Sequence, residues 1–342
     1  VVAALFVRFG AQPLFGSAAM AQGAWLAGLW IFSIALMTLI GEIFRGFHDY
    51  GAAAAFGPAG NNTVVAIVIG GVFVSGASAG LHFALAAGLA ASTAIALAGA
   101  ATLRRRCARL AAPEPAPAGP LLAVGLPLLV ASLAVFAATQ ADVWIIGLFR
   151  GPDDVAVYGA AVRLVQFVMM PMLVMNAVLA PLVSELHSQG NRVKLERVVR
   201  GCAALTGIPA ALVLAVLFGA AEPILGLAYG DFYRTGASVL ILVSAGQVVN
   251  ILAGPAAVVL MMSGSQRALM AISLACASLV VLGGWAAVGP YGTIGVAAAA
   301  ALGTGLHGVL SWLWVRRALG IWTHFTLSDL NAAARALVRR PG

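Results

Sequence analysis

Nine long apolar runs set the terms on which this chain can fold, at residues 24–43, 62–80, 82–103, 121–149, 156–182, 201–220, 236–262, 268–288 and 294–315. A helix needs about 20 apolar residues to cross the ~30 Å hydrocarbon layer, and each run is near that length or above it. Barrel strands would alternate apolar and polar residues over shorter stretches, which these runs do not. Composition agrees, with 62% hydrophobic and only 9% charged residues. Soluble domains carry roughly a quarter charged residues, and disorder needs low hydrophobicity, so both classes are excluded. The expected fold class is all-α, a polytopic membrane helical bundle. Residues 1–9 read as the end of a further helix.

Loop charge orients the bundle. Arg45, Arg104, Arg105, Arg106, Arg109, Arg192, Lys194, Arg197, Arg200, Arg267, Arg316, Arg317, Arg335, Arg339 and Arg340 all fall on one side if the nine spans alternate. The other side receives Arg150 and Arg234, while Arg8 and Arg163 fall within apolar segments. The basic side is expected to be cytoplasmic, with the C-terminus inside. The net charge of +8 is then a topology signal rather than a nucleic-acid footprint. Cys107, Cys202 and Cys276 are scattered without a CxxC or His/Cys cluster, so no metal, cofactor or disulfide framework is expected. No basic n-region or cleavage motif follows Val1-Val2, so no signal peptide is read.

The stretch RRRCARLAAPEPAPAGP (104–120) is basic, then rich in Pro and Ala, and reads as a cytoplasmic linker. It separates residues 1–103 from a second bundle at 121–317, and 318–342 form a basic cytoplasmic tail. Within that tail, Ser328 to Arg340 could make a short amphipathic helix or a plain interfacial segment.

Ionisable residues inside a membrane are costly and therefore functional candidates. Asp142 stands ten residues before Pro152, and Arg163 eleven after it. At 1.5 Å per residue both lie roughly 15 Å from the turn, which predicts a buried pair on adjacent helices. Such a pair either locks the hairpin or takes part in moving substrate or protons. Arg163 and Gln166 share a helix face. So do Ser244, Gln247 and Asn250, and so do Thr304, His307 and Ser311. These stripes line a watery path or tie helices together. Pro127, Pro171, Pro209 and Pro255 interrupt apolar runs and predict kinks. Gly76-Ala77-Ser78-Ala79-Gly80 matches GxSxG, with His82 and His307 as candidate bases for an intramembrane serine protease. The motif ends a membrane span rather than a strand, so a tight turn of small residues is the preferred reading, and the chain is expected not to be an enzyme.

Four stretches resemble the polysaccharide (O-antigen-type) flippases of the multidrug/oligosaccharidyl-lipid/polysaccharide exporter superfamily. They are ADVWIIGLFRGPDDVAVYGAAVRLVQ (141–166), SELHSQGNRVKLERVVR (184–200), ILGLAYGDFYRTGASVLILVSAGQVVNILAGPAAVVLMMSG (224–264) and GPYGTIGVAAA (289–299). Their order and spacing cover residues 121–317, and Glu42-Ile-Phe-Arg45-Gly extends the likeness more loosely over 24–103. The resemblance implies two six-helix lobes around a cavity that alternates between leaflets. It implies that the nine spans are helices four to twelve and that about three helices of the first lobe are missing. The implied substrate is undecaprenyl-diphosphate-linked oligosaccharide, a polysaccharide or lipopolysaccharide precursor, flipped across the bacterial inner membrane. Membrane lipid and polysaccharide assembly proteins are the implied partners. Arg163, and secondarily Arg8, would meet the diphosphate, and Asp142 would couple transport to an ion gradient. Lipid II flippases and multidrug antiporters of the same superfamily are the nearest alternatives.

Overall fold

The computed structural model describes residues 18–74, 81–108 and 118–324, and every regular element among them is helical. The chain divides into two compact units, Val1–Ala116 and Pro117–Gly342. Among the described residues, seven helices are long and apolar enough to cross a membrane, and a shorter apolar helix covers Pro58–Val72. Large apolar side chains on their outer faces are bare, Phe32 at 68% exposure and Leu212 at 65% among them. A soluble surface would not carry such a belt, but hydrocarbon solvates it.

Unit 1 contains α1 (Ala18–Gly46), α2 (Tyr50–Ala55), α3 (Pro58–Val74) and α4 (Leu81–Cys107). Lipid gives apolar helices no hydrophobic reason to pair, so close approach through small residues must do it. Gly88 leaves room for the Trp30 ring, where a Cβ would lie 2.6 Å from two ring carbons. Gly99 does the same for Ile40 and Phe56, and Ser33 and Thr93 share a hydroxyl bond of 3.0 Å. At one end, Asp49 caps α2 by accepting from the Ala52 amide at 3.0 Å. Its other oxygen meets Arg106 of α4 at 2.7 Å, with that guanidinium over the Phe44 ring. Arg45 and Arg104–Arg106 thus gather at one end of this unit.

Unit 2 contains α5 (Ala118–Phe149), α6 (Pro152–Ser188), α7 (Arg192–Gly219), α8 (Ala221–Tyr229), a 3-10 turn at Asp231–Gly236, α9 (Ala237–Ala253), α10 (Ala256–Met262) and α11 (Gln266–Leu319). Pro152 opens α6, and Asp153 and Asp154 in its first turn complement the helix dipole. A straight helix of 54 residues would run about 80 Å, far beyond a ~30 Å layer. Gly292, at φ 60° and ψ −143°, breaks α11 into two arms. The arms return antiparallel, since Ser273 bonds His307 and Gly284 lies against Val296. The runs expected at 268–288 and 294–315 are these two arms. Arg150 supports the break by donating to the Val288 carbonyl at 3.0 Å.

The run expected at 236–262 is instead two helices. Gly254 has φ 74° and Pro255 lacks an amide hydrogen, so the helix stops at Ala253 and restarts at Ala256. Thr323 donates its hydroxyl to the freed Ala253 carbonyl at 2.6 Å. A Cβ at Gly254 would collide with the Thr323 carbonyl, which makes glycine the residue this junction accepts. Short helices α2 and α8 and the 3-10 turn were not expected from the apolar pattern.

Two apolar cores hold unit 2. One, around Ile146, Tyr158, Leu214, Leu225 and Val296, lies toward the Arg150–Asp154 turn. The other, around Leu186, Leu195, Val199, Leu260 and Val315, lies at the opposite end, beside the basic starts and ends of α7 and α11.

Two outcomes follow. Gly246 faces the Ala301 backbone so closely that a Cβ would lie 2.6 Å from it, whereas Gly125 has open space. Gly246→Ala should cost about 1–3 kcal/mol in detergent unfolding, and Gly125→Ala should be neutral or stabilising by up to ~1 kcal/mol. The Ala52 amide and then Arg106 hold the Asp49 carboxyl below its ordinary range. Its stabilising effect is present above the unfolded value near ~4 and is lost as pH falls through the lower folded value. Asp49→Asn should therefore raise proteolytic sensitivity of the α1–α4 end at neutral pH, with the difference closing in acid.

Candidate functional site: a polar cavity in the second unit

Helical spacing brings most of the expected polar stripes of unit 2 to one place, leaving out Arg163 and Ser244. Asp142, Gln166, Gln247, Asn250 and His307 all line a cavity of about 550 Å³, joined by Thr139, Asn176, Ser273, Thr304 and Ser311. Asp142 and Thr139 come from α5, Gln166 and Asn176 from α6, Gln247 and Asn250 from α9, and the rest from both arms of α11. The remaining wall is mainly aliphatic, with Met169, Met170 and Met172 from α6. The broken junction Gly254-Pro255 forms part of it.

Asp142 is the only residue of the lining with a fixed charge, and it is 5% exposed. Its Oδ2 accepts a hydrogen bond from the Tyr158 hydroxyl at 2.8 Å, and Oδ1 accepts from the Val143 amide at 2.7 Å. Across the cavity the polar groups form neutral pairs. The Asn250 amide donates to Gln247 Oε1 at 3.3 Å, and His307 Nε2 and Ser273 Oγ lie 3.2 Å apart. Gly308 lets Asn250 sit against the second arm of α11, since a Cβ would lie 2.9 Å from its Oδ1. The Ser311 hydroxyl is buried without a partner. An unsatisfied hydroxyl in such a wall is a ready donor or acceptor for a bound polar molecule.

The expected Asp142–Arg163 pair does not form. Arg163 is exposed, lies outside the cavity lining, and makes no ion pair with Asp142 among the described residues. Equal depth was a sound argument for distance along the helix but said nothing of direction around it. Five residues separate Tyr158 from Arg163, which turns the two side chains about 140° apart on α6. Only the tyrosine face meets α5. Tyr158 is fully buried and was missed as a site residue, although it stands inside the stretch 141–166. A tyrosine at the end of an apolar, otherwise hydroxyl-free turn of helix was the available signal, because a buried phenol needs an acceptor. Ser273 was also missed. Arg8, Ser78 with its GxSxG motif, and the tail from Ser328 lie outside the described residues. His82 is exposed on α4, and His307 is engaged with Ser273.

If the 2.8 Å bond fixes the carboxylate, Asp142→Asn and Tyr158→Phe should be non-additive in unfolding, with a coupling of about 0.5–3 kcal/mol. Asp142→Asn combined with Arg163→Gln should instead add within ~0.5 kcal/mol.

Comparison with known proteins supplies the family. A model described as polysaccharide biosynthesis protein matches residues 14–187, and a MatE model matches residues 127–286. Searched against curated proteins, the sequence matches none. Among solved structures, a MATE transporter in the bent conformation aligns over 97% of this chain and 77% of its own, at 17% identity and a TM-score of 0.69. The lipid II flippase MurJ in an inward closed conformation aligns over 100% of this chain and 74% of its own, at 14% identity and a TM-score of 0.69. A transporter of the same superfamily from Pyrococcus furiosus, described as having a binding pocket of reverse polarity, aligns over 93% of this chain and 75% of its own, at 19% identity and a TM-score of 0.69. With its apolar spans, shared fold and a family match over residues 14–187, the chain belongs to the polysaccharide biosynthesis proteins and is a membrane transporter of the multidrug/oligosaccharidyl-lipid/polysaccharide exporter superfamily.

Proposed function

We propose that the protein flips undecaprenyl-diphosphate-linked oligosaccharide across the bacterial inner membrane by alternating access. The observation that carries this reading is the chemistry of the cavity wall, which among the described residues holds neutral hydrogen-bonding groups, thioethers, and a single carboxylate with no cation beside it. Sugar hydroxyls both donate and accept, so they exchange bonds with amide, imidazole and hydroxyl side chains without leaving a charge unpaired. Gln247, Asn250, Thr304, His307 and Ser311 are the groups assigned to the sugar. A diphosphate in the same space would be repelled by Asp142 and, among the described residues, would meet no Lys or Arg in the lining. Arg163 is assigned to the headgroup instead. It is exposed on α6, three residues from Gln166 at the cavity wall and free of intramolecular ion pairs among the described residues. Asp142 is assigned to coupling with an ion gradient, since a carboxylate so enclosed changes its surroundings whenever the cavity opens.

In this reading residues 1–103 belong to a first lobe, 104–120 form a cytoplasmic linker, 121–317 form the second lobe, and 318–342 are a basic cytoplasmic tail. The gathering of basic residues at one end of each unit supports a cytoplasmic C-terminus and, with it, a periplasmic Arg150–Asp154 turn.

The test is flipping of lipid-linked oligosaccharide by the full-length protein in proteoliposomes, read by access of a lectin to the sugar. Asn250→Leu with His307→Leu should slow it about five- to hundredfold, the value of one to two lost polar contacts at ~1–3 kcal/mol. Arg163→Glu should weaken it at least as much, while Arg163→Lys retains most activity. Unchanged flipping in Arg163→Glu would remove the headgroup role. Transport of organic cations with no movement of the sugar lipid would replace this reading with the multidrug antiporter.

A further inference from the structure

A second, smaller cavity of about 190 Å³ lies at the Arg150–Asp154 turn, walled by Asp153, Asp154, Tyr158, Thr235, Ser238 and Thr293 among others. It has room for several water molecules and polar groups to hold them. Tyr158 belongs to its wall and Asp142 to the wall of the large cavity. The 2.8 Å bond from the Tyr158 hydroxyl to Asp142 Oδ2 therefore spans the partition between the two spaces. We propose that Tyr158 is a proton relay, through which Asp142 is loaded from the small cavity while the large cavity stays sealed from it. This rests on the assignment of Asp142 to coupling, and it specifies the coupling ion as a proton.

The chemistry favours a proton over a metal cation. Both Asp142 oxygens already face hydrogen-bond donors, the Val143 amide and the tyrosine hydroxyl. Each donor hydrogen takes one lone pair of its oxygen and repels a cation brought beside it. A hydroxyl, by contrast, is donor and acceptor at once. As hydronium in the small cavity gives a proton to Tyr158 Oη, the proton already on Oη passes to Asp142 Oδ2. One O–H bond forms and one breaks at Oη, the hydronium becomes water, and the carboxylate becomes a neutral acid. Asp153 and Asp154 at the mouth raise the local proton concentration.

Other charged groups near the pair are occupied or turned away. Arg150, just beyond α5, donates to Val288, Arg163 of α6 lies on another face, and Asp231 and Arg234 of the 3-10 turn pair with each other at 2.8 Å. Glu222 stands in the first turn of α8, and Tyr233 of the 3-10 turn meets Phe232 edge to face. The wall residues of α9 at the large cavity are uncharged, and His307 of α11 bonds Ser273.

The test is time-resolved infrared spectroscopy of the full-length protein, oriented in vesicles, after a pH drop imposed on one side. The carboxylic-acid band that disappears in Asp142→Asn reports protonation. In Tyr158→Phe the final band amplitude should be retained. Its rise after acid on the small-cavity side should slow about tenfold or more, with the rise from the opposite side unchanged. Asp153→Asn with Asp154→Asn, which leaves the 2.8 Å bond in place, should slow the same phase several-fold. A wild-type rate in Tyr158→Phe overturns the relay. So does equal slowing from both sides, which marks Tyr158 as a positioning residue only. A rise driven by sodium at constant pH also overturns it. If no band depends on Asp142, the coupling role itself fails, and the relay with it.

Discussion

A carboxylate held in the middle of an apolar bundle is expensive, and unit 2 is arranged around the group that carries this cost. Asp142 is removed from solvent, yet among the described residues no arginine or lysine neutralises it. Its compensation is two hydrogen bonds, one from the adjacent backbone and one from Tyr158 across the helix pair. Hydrogen bonds to a charged acceptor are stronger than neutral ones, and a low dielectric strengthens them further. The tyrosine in turn sits in the apolar core with Ile146, Leu214 and Val296, so packing fixes where the hydroxyl can go. Take away that core and the carboxylate loses its tyrosine partner and keeps only the adjacent Val143 amide.

The same constraint shapes the helix breaks. Water is not at hand inside a membrane, so each interrupted helix must find partners for the backbone groups it frees. At Gly254-Pro255 the partner is Thr323, which comes back from beyond the end of α11. At Gly292 it is Arg150, which reaches from the end of α5 to the Val288 carbonyl. Both breaks border the polar spaces of unit 2: Gly254 and Pro255 line the large cavity, and Thr293 lines the small one. Glycine is used where two backbones must nearly touch, as at Gly246 against Ala301, rather than scattered for looseness.

Much of this could be read in the sequence, because hydrocarbon imposes length and polarity so strictly. The apolar runs located the long helices, and Gln247, Asn250, Thr304, His307 and Ser311 of the polar stripes turn toward one cavity, while Ser244 is buried outside its lining. What escaped was direction and local closure. Asp142 and Arg163 have equal depth but face apart, and Tyr158 took the place assigned to the arginine. The break at Gly254 was expected only as a kink, since the hydroxyl that makes a full break tolerable comes from Thr323, 70 residues away. Short helices such as α2 and α8 carry too few residues to give a periodic signal, and α2 owes its start to the Asp49 cap.

The central claim is that the neutral polar wall of unit 2 is a water-filled sugar site rather than glue between helices. Cysteine accessibility tests it directly. In a background with Cys107, Cys202 and Cys276 replaced, single cysteines at Gln247 and Thr304 would report from the cavity, and one at Leu282 from an exposed apolar face. A membrane-impermeant thiol reagent should label the first two and not the third, and lipid-linked oligosaccharide should protect both. Absence of labelling at Gln247 and Thr304, or labelling that the sugar lipid leaves unchanged, would contradict the account.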